Sequence, residues 1–419
     1  MFSRRKFLQL SGLSTLGLGL GGVNALASKT GSGKRFIFVY CYGGWDPTRV
    51  FATEFDNLLV DMERDAEQAT AGVSYVSHPD RPAVDAFFKN HHASTLILNG
   101  VMVPSIAHES CMKLSMTGTS ATGVADWPAI LAGDVSSAFS LPHLVLDGPS
   151  FPGPLGYAVT RSGTSGQLGG LISGDILDWS DIPVTPPSAN AEAIMDQYLA
   201  KRAQALQFMN GSPRFHDMRE SFTTALERAD MLKDLNGVLD WSASTDLFAQ
   251  SKMAADVLAL GLSRCITMSY SGQGWDSHSN NDPTQSSNFE GLFSGLNELM
   301  SLLAQTSGPD GKALAEDTVV VVMSEMGRTP ALNDQDGKDH WPYSSMMLVG
   351  PGLTSGRVVG GFDSLYYGNL LDPTTAEVTE KGIDLTYAGV GATLLSMADI
   401  DSQEWVPGVA KYPGLLSSS

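Results

Sequence analysis

Carboxylates and imidazoles recur in this 419-residue chain directly behind short apolar runs. Asp46 follows RFIFVYCYGGW, Asp276 and His278 follow RCITMSYSGQGW, and Glu325 and Arg328 follow TVVVVMS, with Asp339-His340 one short loop later. In extended backbone, residues i and i+2 point to the same side, so Asp276 and His278 can reach one ion. Carboxylate-plus-imidazole donors suit a divalent metal, Zn²⁺ first, with Mn²⁺ or Fe also possible and Ca²⁺ less typical. The candidate metal ligands are Asp46, Asp276, His278, Glu325, Asp339 and His340. A single aspartate behind a strand is as often a helix cap or turn residue, so the argument rests on the set. A second group is Ser105, His108 and Ser110. A hydroxyl at a helix N-terminus can be activated to attack an ester, although Ser105 can equally be a plain cap and His108 a core residue. Arg328 has the fork that grips a phosphate or sulfate oxygen, or else an ion pair with Glu325.

Such groups converge only if the runs before them are strands of one sheet. Val319 to Val322 is too short and too β-branched for a comfortable helix and reads as a strand buried on both faces. Arg35–Tyr42, Thr95–Val101, His143–Asp147, Arg264–Ser271, Met346–Val349 and Gly356–Gly361 read as further strands. In open α/β sheets ligands bind at the carboxyl ends of the strands, which is where the acids and histidines fall. Helices are expected over 82–92, Ser105–Met116, 191–208, 214–235, 245–262 and 387–397. Another should start at the capping box Ser287-Asn288-Phe289-Glu290 and bury Phe289, Leu292, Phe293, Leu296, Leu299 and Met300. Residues 148–188 are rich in Gly, Pro and Ser. With the helices that follow they predict a loop-rich and helical insertion, 148–262, in a single α/β domain spanning 28–419.

The first residues are an address. Ser3-Arg4-Arg5-Lys6-Phe7-Leu8, a Gly/Leu-rich apolar region and Ala25-Leu26-Ala27 have the form of a twin-arginine signal peptide over 1–27. That predicts handling by the twin-arginine translocase, export in the folded state to a periplasmic or secreted location, and no stable membrane span after cleavage. Lys+Arg 26 against Asp+Glu 45 gives a net charge of −19, which excludes a cheaply assembled nucleic-acid face. The three cysteines, Cys41, Cys111 and Cys265, have no metal-knuckle spacing and read as small buried hydrophobes.

The motifs S-E-M-G-R-T, G-K-D-H-W and G-W-D-S-H-S-N, together with the twin-arginine segment, resemble the DUF1501 family of exported bacterial proteins. That family looks like a branch of the alkaline phosphatase/sulfatase superfamily, and IDLTYAGVGATLLSMADI resembles a late sulfatase helix. The resemblance implies an alkaline phosphatase-like three-layer sandwich. It also implies Asp46, Asp276, His278, Glu325 and His340 as metal ligands and an anionic phosphate or sulfate ester as substrate. Met326 stands where that superfamily has a histidine, and no sulfatase nucleophile motif is present. Two readings follow: a metal-dependent ester hydrolase, or a degenerate member serving as a periplasmic binding or assembly protein. No protein partner is named by the sequence.

Overall fold

The computed structural model describes residues 33–163, 167–173, 187–233, 235–241 and 244–417; the signal segment 1–27 lies outside them. The chain runs through strands β1 Arg35–Cys41, β2 Glu67–Thr70 and β3 Ser74–Ser77, helix α1 Pro82–His91, β4 Thr95–Met102, α2 His108–Thr117 and α3 Trp127–Gly133. It continues with β5 His143–Val145, β6 Val159–Arg161, α4 Gln167–Ser173, α5 Ala189–Gln207, α6 Pro213–Lys233, α7 Leu247–Ala259 and β7 Cys265–Ser269. Then come α8 Asn281–Gln305, β8 Thr318–Ser324, β9 Gly327–Arg328, β10 His340–Trp341, β11 Tyr343–Val349, β12 Arg357–Gly360 and α9 Tyr387–Met397.

Contacts divide the chain into two compact units, one of them Ser162–Ala243 and the other 31–161 with 244–419. The smaller unit falls inside the expected insertion at 148–262. Val159–Arg161 zips onto β5 as an edge strand, and Leu247–Ala259 packs on α8, so both belong to the sheet unit. Within the smaller unit α5 and α6 are antiparallel neighbours, tied by Lys233 to Glu192 (3.0 Å) and Asp196 (2.9 Å).

The larger unit is built on an eight-stranded sheet of order β12-β4-β11-β8-β1-β7-β5-β6. Every neighbouring pair is parallel except those made by β11, which runs against both β4 and β8. β8 is buried along its whole length, as its valines predicted. Each of those valines contributes roughly 1.5–3 kcal/mol as an upper figure. Strand pleating sorts the sheet's side chains. Phe36, Phe38, Val319 and Val321 pack with residues of α2, α3 and α9, while their sequence neighbours point to the other face. There α1 and α7 each pack on α8, with Phe87 and Phe88 against Phe293. Helices therefore flank a mainly parallel sheet on both sides, the expected α/β class. Two helix starts differ by three residues or more. α8 starts at Asn281, not at the 287–290 box, with Asn280 in left-handed conformation just before it and no side-chain cap from that residue. α2 starts at His108 rather than Ser105. Among the described residues no helix is long and apolar enough to cross a membrane.

Candidate metal centre

β1, β7 and β8 lie side by side and in parallel, so their carboxyl ends open onto one place. The loop after β7 is fixed by amide side chains on the buried face of α8. Gln285 donates to Trp275 O (2.8 Å) and Ser277 Oγ (2.9 Å), and Asn288 bonds Gln273 N and Gly274 O at 2.8 Å each. The segment after β8 leaves the sheet, forms the antiparallel β9–β10 pair that sets Arg328 opposite His340, and returns as β11. Two close approaches demand glycine. A Cβ on Gly337 would sit 1.9 Å from His278 O, and one on Gly43, at φ +128°, would sit 2.8 Å from Asp276 N.

These loops, with the first residue of α2, bring four donors together. His340 Nε2 is 3.0 Å from His278 Nε2 and 3.2 Å from Asp276 Oδ1. His278 Nε2 is 3.1 Å from the same oxygen, and His108 Nε2 is 3.4 Å from Asp276 Oδ2. The donor atoms of His108, Asp276 and His340 all lie within 4.8 Å of one another. The opposite ring nitrogens are all engaged. His108 Nδ1 meets Glu325 Oε1 at 2.8 Å, His278 Nδ1 meets Asp339 Oδ1 at 2.7 Å, and His340 Nδ1 meets Ile106 O at 2.7 Å. A backbone carbonyl can only accept, and an ionised carboxylate likewise. Each Nδ1 is therefore the N–H donor, and each Nε2 of a neutral ring turns a lone pair toward the others and toward Asp276.

Lone pairs at 3.0–3.4 Å repel unless a proton or a cation lies among them. With Zn–N bonds of about 2.0–2.1 Å, the edge of a tetrahedron is about 3.3 Å; the spacings among His278, His340 and Asp276 Oδ1 match it, while His108 approaches the other Asp276 oxygen and lies within 4.8 Å of His340. His108 Nε2 is buried with no hydrogen-bond partner, as an atom awaiting an ion would be. Metal-bound histidines characteristically donate their outer N–H to a carboxylate or a carbonyl, and all three do so here. The donor set thus fits one divalent transition metal. Burial pushes the Asp276 carboxyl up, but Arg328, His340 and His108 outweigh it and hold the group at about 2. The hydrogen bond to Glu325 raises the His108 pKa, against partial burial.

Of the ligands expected from sequence, Asp276, His278 and His340 are brought together; the other three are not in the inner set. Glu325, fully buried, orients His108 and accepts from Gly43 N and Ser324 Oγ. Asp339 orients His278. Asp46 is consumed by Thr48, Arg49 (2.9 Å), Asn281 (2.9 Å) and Lys338 (3.0 Å). Burial works against its charge, yet Lys338 and Arg49 hold that carboxyl far below the usual range.

The expected catalytic group is rearranged as well. His108 stands among the candidate metal donors, its Nε2 3.4 Å from Asp276 Oδ2. Arg328 does not face outward for an anion; it donates to Gly44 O, Gly43 O and Lys338 O and to Asp276 Oδ1 at 2.5 Å. Ser105 lies before the helix, and its hydroxyl accepts from Ala107 N. Ser110, two residues beyond His108, projects about 200° around the helix from it. Sequence reasoning missed Asn281, Gln285, Asn288 and Lys338. Their one signal was polar residues on an otherwise apolar helix face and beside Asp339.

The motifs that carry most of this site now have a counterpart outside the chain. Residues 185–381 match DUF1501, a family described as proteins of unknown function. The matched DUF1501 stretch contains Asp276, His278, Glu325, Arg328, Asp339 and His340, but not Asp46 or His108. Among solved structures the chain is similar to a protein in the alkaline phosphatase superfamily from Vibrio parahaemolyticus. That match has 9% identity, covers 100% of this chain and 80% of that one, and has a TM-score of 0.42. It is also similar to the phosphonate monoester hydrolase of Agrobacterium radiobacter, at 11% identity, 87% and 73% coverage and a TM-score of 0.29. No curated protein matches the chain.

Proposed function

We propose that the chain is an exported metal-dependent hydrolase of phosphate or sulfate esters, working with a single divalent ion, zinc by donor type. The supporting observation is the convergence of three Nε2 lone pairs and one carboxylate, each imidazole fixed from behind by an outer acceptor. A zinc ion there would polarise an ester oxygen and acidify water. The chain's own part is positional. Glu325, Asp339 and the Ile106 carbonyl fix the three ring planes, while Arg328 shares the Asp276 oxygen that faces two of the imidazoles. That sharing makes Asp276 the weakest of the four donors, so it is the one placed to yield to a substrate. Asp276 and His278 are each 46% exposed, which leaves an approach from solvent. The amino-terminal segment extends the proposal to a periplasmic or secreted location.

A second reading, a binding or assembly protein with a structural ion, draws on a different observation: four protein donors can fill a tetrahedral shell. Elemental analysis of protein purified without added metal, followed by assays on aryl phosphates and aryl sulfates, separates the two. About one zinc per chain with turnover is the expected result. One zinc without turnover favours the structural ion, and sub-stoichiometric metal rejects both.

A further inference from the structure

Behind the metal donors lies a buried charge network that none of the proposed chemistry uses. Arg49, Arg81 and Lys338 are fully buried and face Asp46, Glu63 and Asp282, three cations against three carboxylates. Lys338 stands apart among them because of where its backbone goes. Its Nζ is 3.0 Å from Asp46 Oδ2 and 3.2 Å from Thr48 Oγ1, both set just behind β1. Its N–H donates to Ser277 O (3.0 Å), between Asp276 and His278, and its carbonyl accepts from Arg328 (3.0 Å), which holds Asp276. The next two residues are Asp339 and His340.

We infer that Lys338 is a positioning residue for the metal centre. Its ion pair with Asp46 anchors the segment that delivers His340 and Asp339, and its backbone joins that segment to the one delivering Asp276 and His278. Asp46 then serves the centre without touching an ion. Its oxygens take donors from Thr48, Arg49, Asn281 and Lys338, which leaves no lone pair for a second metal, so the centre is mononuclear. This inference rests on the metal-centre reading above, and the test keeps the two apart.

Zinc affinity of the full chain is measured by competition with a chromophoric chelator, and the Co²⁺-substituted protein is read by its visible absorption. Lys338→Met is expected to weaken zinc binding by about 10- to 100-fold, the range for lost outer-shell support. It should also reduce the tetrahedral Co²⁺ absorption, a change that general destabilisation of a still-folded protein does not produce. Thr48→Val, which keeps both charges but removes an acceptor of the Lys338 ammonium and a donor to Asp46, is expected to weaken zinc binding less than Lys338→Met does. If Lys338→Met does not fold, Thr48→Val decides alone. A wild type that binds zinc, with variants that bind equally tightly and give the same cobalt spectrum, overturns the tether and leaves the centre standing. A wild type that binds no zinc overturns both, and two tight equivalents per chain overturn the mononuclear assignment.

Discussion

At the scale of single residues, the centre depends on which carboxylates touch an ion and which stand behind an imidazole. Glu325 has no exposure and one oxygen on His108 Nδ1, so Glu325→Gln, whose amide oxygen accepts more weakly than a carboxylate, should hold the ring less firmly. We expect a 10- to 100-fold loss of zinc affinity with a thermal midpoint close to wild type, measured by chelator competition beside calorimetry. Gly337→Ala should act through backbone, because the added methyl meets His278 O. The expected cost is about 1–3 kcal/mol in urea unfolding, with loss of bound metal. Asp276, His278 and His340 were legible in the sequence because two are local neighbours and the third sits beside another acid. The ranking of the acids was not. Asp46 and Glu325 occupy equivalent places behind strands, and only the donors around each, Lys338 and Arg49 for one and His108 for the other, give them different roles.

At the scale of elements, the valine run of β8 and the periodic face of α8 were readable because burial on both faces and on one face leave distinct patterns. The second duty of α8 was not readable. Its buried Asn281, Gln285 and Asn288 look like interruptions of an apolar stripe until the loop they hold is in place. Gln285 accepts from Asp46 N and donates to Trp275 O and Ser277 Oγ. Gln285→Leu should therefore orphan buried groups and cost about 1–3 kcal/mol. The same variant should also weaken metal binding, whereas an apolar truncation on the same helix, Leu299→Ala, should lower stability alone; urea midpoints and zinc competition on both variants check this. The edge strand β6 escaped detection because three residues in a Gly/Pro-rich stretch carry too little pattern.

At the scale of the whole molecule, acid should unfold the protein partly through a residue outside the centre. His143 is buried on β5 beside Thr267 Oγ1, and burial, with Arg161 adding, pushes its pKa down to about 3. The unfolded chain takes up that proton near pH 6.5 and the fold refuses it, so the folded state loses stability as pH falls from about 6.5 toward 3. Between pH 6.5 and 4.5 wild type should lose on the order of 2–3 kcal/mol more than His143→Gln, read from urea midpoints at each pH. The sheet and its flanking helices were legible from strand-and-helix alternation, but the boundary of the smaller unit was not, since helices at 189–233 and 247–259 look alike in sequence while the latter belongs to the sheet unit.

The donors of the centre come from widely separated parts of the chain. His108 and Asp276 are 276 − 108 = 168 positions apart, and His278 and His340 are 62 apart. An unfolded chain holds no fragment of the site larger than Asp276 with His278, so ion capture follows the closing of the sheet and cannot guide it. On the proposed metal reading, the compartment in which the chain completes its fold would supply the ion.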